Sequence, residues 1–318
     1  MNMLSVKVIR KMQQALDIQS LELADPDGKV LPPFSAGSHI DVHLPGGIVR
    51  QYSLCNDPLE QHRYLICVLR DAKSRGGSVA VHERIAEGDL ITISEPRNNF
   101  AVVPASRYVL LAGGIGVAPL LCIAERLAHV GSNFELHYCT RSRERMAFID
   151  RIRRSTFAEK VQFHFDDGDD GQKLNLDTAL AAPDERTHAY VCGPTGFIQF
   201  AKLAMQQRGW LAHNVHVEHF SAVNSGPMVN RSFDVKVASS GRCYPVAADQ
   251  SVLSVLMAAG FDIPRSCEEG VCGTCVTGVL AGEVEHRDSY FCEAERAMNR
   301  FFTPCCSRAR SNLLVLDL

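Results

Sequence analysis

Hydrophobic and polar positions divide the chain into three stretches with different periods. Up to about residue 103, apolar and polar residues alternate at period 2, the spacing of half-buried strands. Ser38–Leu44 reads SHIDVHL, and Pro45-Gly46-Gly47 supplies a turn before a strand at Ile48–Leu54. Tyr64–Leu69 and Leu90–Ile93 continue the series. Short strands punctuated by glycine and proline, with little helix between them, predict a small antiparallel barrel.

From about residue 104 to 221 the pattern changes. Tyr108–Ala112, Phe134–Tyr138, Val161–Phe165, Ala189–Cys192 and Val215–His219 read as strands. Helical spacing fills Pro119–His129 and Ala147–Arg154, with Pro119 in a first turn that tolerates it. Alternating strand and helix implies a parallel sheet with crossover helices. Residues 222–231, rich in Ser, Asn, Gly and Pro, read as a linker. Residues 232–318 form a last compact piece. The expected architecture is multidomain: an antiparallel β-barrel over 1–103, an α/β parallel-sheet domain over 104–221, the linker, and a small domain over 232–318.

Composition removes several classes. The 318 residues are 46% hydrophobic and 22% charged, enough apolar material for several cores. The formal net charge is −3 and no basic field appears, which argues against nucleic acid as a partner. The N-terminus lacks the apolar core of a signal peptide. The longest uncharged stretch, 17 residues between Arg107 and Glu125, holds three glycines and a proline and is too short for a membrane span. A cytoplasmic protein without a membrane partner is expected.

Twelve cysteines are many for such a chain. In a reducing compartment, clustered thiols point to metal ligation rather than disulfides. Cys267, Cys272 and Cys275 form C-x4-C-x2-C, and Cys305 follows after 29 residues. This is the plant-type spacing for a 2Fe–2S cluster held by four thiolates. Gly270 and Gly273 allow the tight loop, and its amides can point at sulfur. A zinc knuckle would show two short pairs, and a thioredoxin-like pair would need neither Cys267 nor Cys305. The gap favours Cys305 over Cys306 as fourth ligand, leaving Cys306 as a buried thiol. Cys55, Cys67, Cys122, Cys243 and Cys292 read as small core residues.

Two glycine turns carry the next signal. Gly113-Gly114-Ile115-Gly116 ends a strand and opens a helix, as does Cys192-Gly193-Pro194-Thr195-Gly196. Glycines let a pyrophosphate reach the amides at a helix N-terminus, and two such edges on one parallel sheet face one crevice. Thr140-Arg141-Ser142-Arg143 ends the strand beside them, where an adenosine ribose would lie; a solvated basic turn is the competing reading. In the barrel, Arg50 and Tyr52 share one strand face. An arginine can hold phosphate while tyrosine packs on a planar ring. Arg75-Gly76-Gly77-Ser78 precedes a short helix over Val79–Ile85 that Ser78 could cap, so these residues together suggest a flavin phosphate site.

His213, His216 and His219 fall on both faces of a strand, poor for one metal. The Asp166–Gly171 run departs from a calcium loop and reads as a solvated acidic turn.

On RQYSLCNDP (50–58), SRGGS (74–78), LAGGIGVAP (111–119), HYCTR (137–141), YVCGPTGF (190–197), SCEEGVCGTC (266–275) and TPCCSRAR (303–310), the chain resembles the phthalate dioxygenase reductase family, most closely its vanillate O-demethylase reductases. The resemblance implies an FMN barrel, an NAD domain and an α+β plant-type ferredoxin domain. NADH would be the donor, and a terminal Rieske-type oxygenase the acceptor. It places Arg50, Tyr52, Ser53, Gly76, Gly77 and Ser78 on FMN, with Phe220 as an aromatic near the flavin. It places Gly114, Gly116, Arg141, Cys192, Gly193 and Pro194 on the nicotinamide nucleotide. Ser53, near flavin N5, and Cys192, beside the nicotinamide, are the candidate catalytic positions, neither needed as acid or base. Gly278 departs from the family, which often has arginine there, and Arg143 keeps NADPH open. The competing functions are a reductase for a carnitine-type oxygenase or a soluble monooxygenase, and a zinc-stabilised binding module without redox work.

Overall fold

The computed structural model describes residues 2–71, 76–180, 183–221 and 230–318. The chain forms two compact units that divide between Glu218 and His219. Most of the expected linker, residues 222–229, lies outside the described residues.

In the first unit, β1 (Met3–Ala15), β2 (Ile18–Ala24), β3 (Ser38–Leu44), β4 (Ile48–Ser53), β5 (Tyr64–Leu69), β6 (Leu90–Ser94) and β7 (Arg97–Asn98) make an antiparallel sheet. Its order is β4-β3-β6-β1-β2-β5, with β7 beside β3, and a bridge between Leu54 and Ile66 joins the two ends into a barrel. Val6, Leu21, Leu23, Ile40, Val42, Ile66 and Ile93 fill its interior. The β1–β2 hairpin is not among the individually expected strands, although Leu4, Val6 and Val8 alternate with Ser5 and Lys7; a bulge between Val8 and Arg10 breaks the period beyond them.

A helix, α1 (Gly77–Arg84), packs Ala80 and Val81 into the barrel core. It begins two residues before the expected Val79. Ser78 is not its cap. Gly76 occupies the N-cap with φ 87°, a left-handed conformation that favours glycine, and Ser78 Oγ instead accepts the Asp71 N–H at 3.1 Å.

The same unit continues with β8 (Arg107–Gly113), α2 (Val117–His129), β9 (Phe134–Thr140), α3 (Ile149–Arg153), β10 (Val161–Phe165), α4 (Leu176–Ala179), β11 (Thr187–Cys192), α5 (Thr195–Gln207) and β12 (Val215–Glu218). The five strands are parallel in the order β10-β9-β8-β11-β12. Along β8, Leu110 and Ala112 pack on the α2 side while Val109 and Leu111 pack with Ile198 and Ala201 of α5. Both faces are thereby covered, as a parallel sheet requires. The α2 core also takes in Cys55, Leu65 and Cys67 from the outside of the barrel, so barrel and sheet share one apolar cluster. Helix α3 is shorter than the expected Ala147–Arg154, because Phe148 takes φ 61° immediately before it.

The histidines of the last strands serve packing. His216 stacks on Tyr190 with centroids 4.5 Å apart, and its Nε2 lies 2.8 Å from His188 Nδ1. Asp166 and Asp167 donate their amides to the carbonyls of Thr140 and Arg141, so the acidic turn extends the β9–β10 pairing. Among the described residues no helix is long and apolar enough to cross a membrane.

The second unit contains β13 (Phe233–Val237), β14 (Cys243–Val246), α6 (Val252–Ala258), β15 (Thr277–Ala281), β16 (Val284–Glu285), α7 (Glu293–Met298), β17 (Phe301–Phe302), β18 (Arg308–Ala309) and β19 (Leu313–Asp317). Its main sheet runs β14-β13-β19-β15-β17, and β16 pairs with β18. Ser251 caps α6 by accepting the Ser254 N–H at 3.0 Å. Val235, Val237, Leu256, Phe302, Leu314 and Leu316 form its core. Of the cysteines expected in cores, Cys55, Cys67 and Cys122 are buried, but Cys243 and Cys292 are exposed. Cys243 lies on the outermost strand and Cys292 caps α7, so neither meets a second layer.

Candidate functional site

The four candidate cluster ligands come together in the second unit. Cys267, Cys272 and Cys275 are buried and Cys305 half-buried. The Cys267 thiol interacts with Cys272, and the Cys305 thiol with both Cys275 and the adjacent Cys306. Four thiolates suit a core of two irons, each needing two. The Glu269 and Thr274 amides lie 3.4 Å from the sulfurs of Cys267 and Cys272, where an N–H stabilises sulfur charge. Gly270 and Gly273 hold φ of 75° and 69°. A Cβ at Gly273 would stand 2.2 Å from the Tyr290 ring, and one at Gly270 would stand 2.3 Å from Cys306 Sγ. The loop therefore cannot carry side chains there, and its donor set fits a 2Fe–2S cluster. Cys306 is half-buried rather than fully buried, and its sulfur lies 3.2 Å from Thr303 Oγ1.

The two glycine turns of the parallel sheet also meet. β8 and β11 are neighbours in register from Thr187↔Arg107 to Cys192↔Ala112, so their C-terminal ends lie side by side. A Cβ on Gly193 would fall 2.9 Å from Gly113 Cα, and one on Gly116 only 2.2 Å from the Cys192 carbonyl oxygen. Only glycine permits this approach, which brings the α2 and α5 N-termini to one edge. Gly114 takes φ 55° in the turn with open space around it, and Pro194 is the N-cap of α5. Arg141 is exposed directly after β9.

On the barrel, Arg50 and Tyr52 stand opposite Val42 and Ile40. A Cβ on Gly77 would fall 2.5 Å from Arg50 Cγ, so the arginine stem lies against the start of α1. A guanidinium beside helix-start amides is a donor set for a phosphate. Arg75 lies outside the described residues. Phe220 is exposed and belongs to the second unit.

Ser53 makes a contact that sequence reasoning misses. Its Oγ donates to Glu218 Oε2 at 3.0 Å, and Cys192 Sγ lies 4.0 Å from the same oxygen. Glu218 ends β12 directly opposite Cys192. Its carboxyl group sits deep, and desolvation pushes its pKa up to about 7, against the pull of the Ser53 bond. Burial also holds the Cys192 thiol well above its ordinary range. His39 pairs with Ser53 across β3 and β4 and has a buried Nε2 with no hydrogen-bond partner among the described residues. Burial lowers its pKa to about 4, so this nitrogen belongs to a neutral ring. The available signal for Glu218 is an acid closing a short strand, Val215–Glu218, at a sheet's C-terminal edge.

A barrel and a doubly wound sheet meeting at one edge, with a four-thiolate site in the other unit, define an iron–sulfur flavoprotein oxidoreductase. Residues 110–203 match the oxidoreductase NAD-binding domain, and residues 235–310 match the 2Fe-2S iron-sulfur cluster binding domain. The chain is 51% identical over 305 residues to the vanillate O-demethylase oxidoreductase of a Pseudomonas species, covering 96% of each protein. Among solved structures, phthalate dioxygenase reductase, described as modular for electron transfer from pyridine nucleotides to [2Fe-2S], superposes with a TM-score of 0.77. It is 38% identical, with 100% of this chain and 98% of that one covered. An intact type IV self-sufficient cytochrome P450 monooxygenase gives a TM-score of 0.87 at 40% identity; 99% of this chain matches 41% of that one. The chain belongs to the phthalate dioxygenase reductase family. Its cofactors are a flavin, NAD(P)H and a 2Fe–2S cluster, and it is the electron-transfer reductase component of an oxygenase system.

Proposed function

We propose that this reductase takes electrons from NADH and serves a Rieske-type oxygenase that O-demethylates a methoxylated aromatic acid such as vanillate, in the cytoplasm. The observation that carries the donor side is the Ser53–Glu218 bond beside Cys192: one hydrogen bond joins the barrel to the edge where the two glycine turns converge. A hydride donor and acceptor need such adjacency, because transfer requires the reacting atoms in near contact. The acceptor side rests on the relative named as a vanillate O-demethylase oxidoreductase.

In this reading Arg50 and the amides of Gly76, Gly77 and Ser78 hold the FMN phosphate, while Tyr52 and Ser53 border its ring. Gly114, Gly116, Gly193 and Pro194 admit the dinucleotide, Cys192 packs beside the nicotinamide, and Arg141 meets the ribose end. Cys267, Cys272, Cys275 and Cys305 ligate the iron. FMN couples a two-electron donor to a one-electron carrier; the protein's part is to bind, orient and exclude water. Glu218 keeps its proton below neutrality and is about half ionised near pH 7, with the Ser53 hydroxyl donating to its Oε2.

Glu268 is exposed in the ligand loop, 3.7 Å from Arg265, and with Glu269 would steer a basic partner. Reconstitution with purified oxygenases tests the assignment. A vanillate-type oxygenase should be supported at least tenfold faster than a carnitine-type oxygenase or a soluble monooxygenase; the opposite ranking overturns it. Reversing both Glu268 and Glu269 should slow transfer to the oxygenase more than to ferricyanide.

A further inference from the structure

Asp288 is the only fully buried carboxylate among the described residues of the second unit, its side chain having 0% exposure. Its Oδ1 lies 3.0 Å from His286 Nδ1 and accepts the Ser307 hydroxyl at 3.3 Å. Its Oδ2 accepts the Phe291 N–H at 2.9 Å and lies 3.7 Å from the Arg296 guanidinium, which also donates to the Asp288 carbonyl. These partners span the loop after β16, helix α7 and the turn before β18.

The same residue touches both cysteine-bearing segments. Next to it, the Ser289 N–H donates to the Gly270 carbonyl at 2.9 Å. A Cβ on Gly270 would stand 2.9 Å from Asp288 Cα, so the loop holding Cys267 and Cys272 lies against Asp288 without a gap. On the other side, Ser307 lies 3.0 Å from Thr303 Oγ1 and donates its amide to the Thr303 carbonyl at 2.9 Å. That closes the turn carrying Cys305. The two segments are far apart in sequence, and Asp288 is bonded or packed against each.

We propose that Asp288 is a positioning residue for the cluster: its carboxylate fastens the Gly270 loop to the Thr303–Ser307 turn, and its enclosed charge lowers the cluster's reduction potential. This rests on the ferredoxin reading of the unit. Adding an electron makes the cluster more negative, and a fixed anion nearby in a weakly polar interior disfavours that state. Arg296 offsets part of the effect, so removing this cation should act in the opposite direction to removing the anion.

The test uses the full-length holoprotein, with iron and sulfide counts, visible and electron paramagnetic resonance spectra, and an anaerobic redox titration. Asp288→Asn keeps the shape and should retain the cluster with a more positive potential. Arg296→Gln should make the potential more negative. Asp288→Ala should lower iron content by more than half. Wild-type potentials in both Asp288→Asn and Arg296→Gln overturn the proposal, as does full iron content in Asp288→Ala. If Asp288→Asn holds no cluster, the Arg296→Gln potential decides. Wild-type protein without iron would refute the ferredoxin reading itself and not this role.

Discussion

A carboxylate enclosed as Glu218 is must find a counter-charge or keep its proton. Among the described residues no cation bonds it; Ser53 supplies one hydrogen bond, and desolvation leaves the pKa near 7. The folded pKa is above the ordinary carboxylate value of 4.5, so between these values the folded state binds more protons than the unfolded state. Stability therefore falls as pH rises from about 4.5 through 7, by up to about 3 kcal/mol, less whatever solvent reaches the strand edge. Glu218→Gln should remove this slope, measured as unfolding midpoints at pH 5 and pH 8. An unchanged slope would place the titration elsewhere. The cluster gives a second residue-scale prediction. Cys305→Ser should abolish the visible cluster spectrum and Cys306→Ser should spare it, because Cys305 interacts directly with Cys275 and stands at the expected spacing, whereas Cys306 reaches Cys305 and Thr303. Thiol spacing was readable from the sequence because ligation fixes both type and interval. Glu218 was not, since its role depends on a serine 165 positions away.

Elements were legible where one rule dominated. Ser38–Leu44, Tyr64–Leu69 and Val161–Phe165 have the bounds their periodicity predicts, because each is either strictly alternating or continuously apolar. Residues 3–24 are not divided into two strands by periodicity alone, since bulges between Val8 and Arg10 and between Gln13 and Ala15 break the alternation. Ser78 was misread as a cap because serine is a common capping residue, whereas the turn requires the positive φ that Gly76 supplies. Glycine substitutions test these geometries. At Gly77 an added methyl meets the Arg50 stem at 2.5 Å and should push the guanidinium aside. Gly77→Ala and Arg50→Ala should each cause loss of flavin on gel filtration, read from the released fluorescence, while iron content stays at wild-type level. Gly116→Ala should act on the other ligand: its methyl would strike a backbone carbonyl, which cannot swing away. The KM for NADH should rise at least tenfold with flavin retained.

At the scale of the whole molecule, the distribution of apolar clusters decides what can exist alone. The barrel and the parallel sheet share a cluster in which Leu65 and Cys67 pack with residues of α2. Cutting between them would expose several large side chains, each worth ~1.5–3 kcal/mol when buried. By contrast, the cluster built on Val235, Leu256 and Leu316 draws only on residues beyond Phe233. Two fragments divided at the unit boundary should therefore each fold, whereas a fragment ending near residue 103 should aggregate. The fragment comprising residues 1–221 should keep flavin and reduce ferricyanide with NADH within about twofold of the full chain, since two-electron transfer from NADH to the flavin, followed by its reoxidation by two one-electron ferricyanides, needs nothing beyond residue 221. It should support no oxygenase turnover, because the one-electron carrier is gone. The fragment from residue 230 onward should show the iron–sulfur spectrum but no oxidation of NADH. Mixing the two should restore oxygenase turnover only weakly, because the connected chain holds donor and acceptor at a high effective concentration that separate fragments lose. Turnover by the first fragment alone would show that electrons leave without passing the cluster, and the assigned order of carriers would then be wrong.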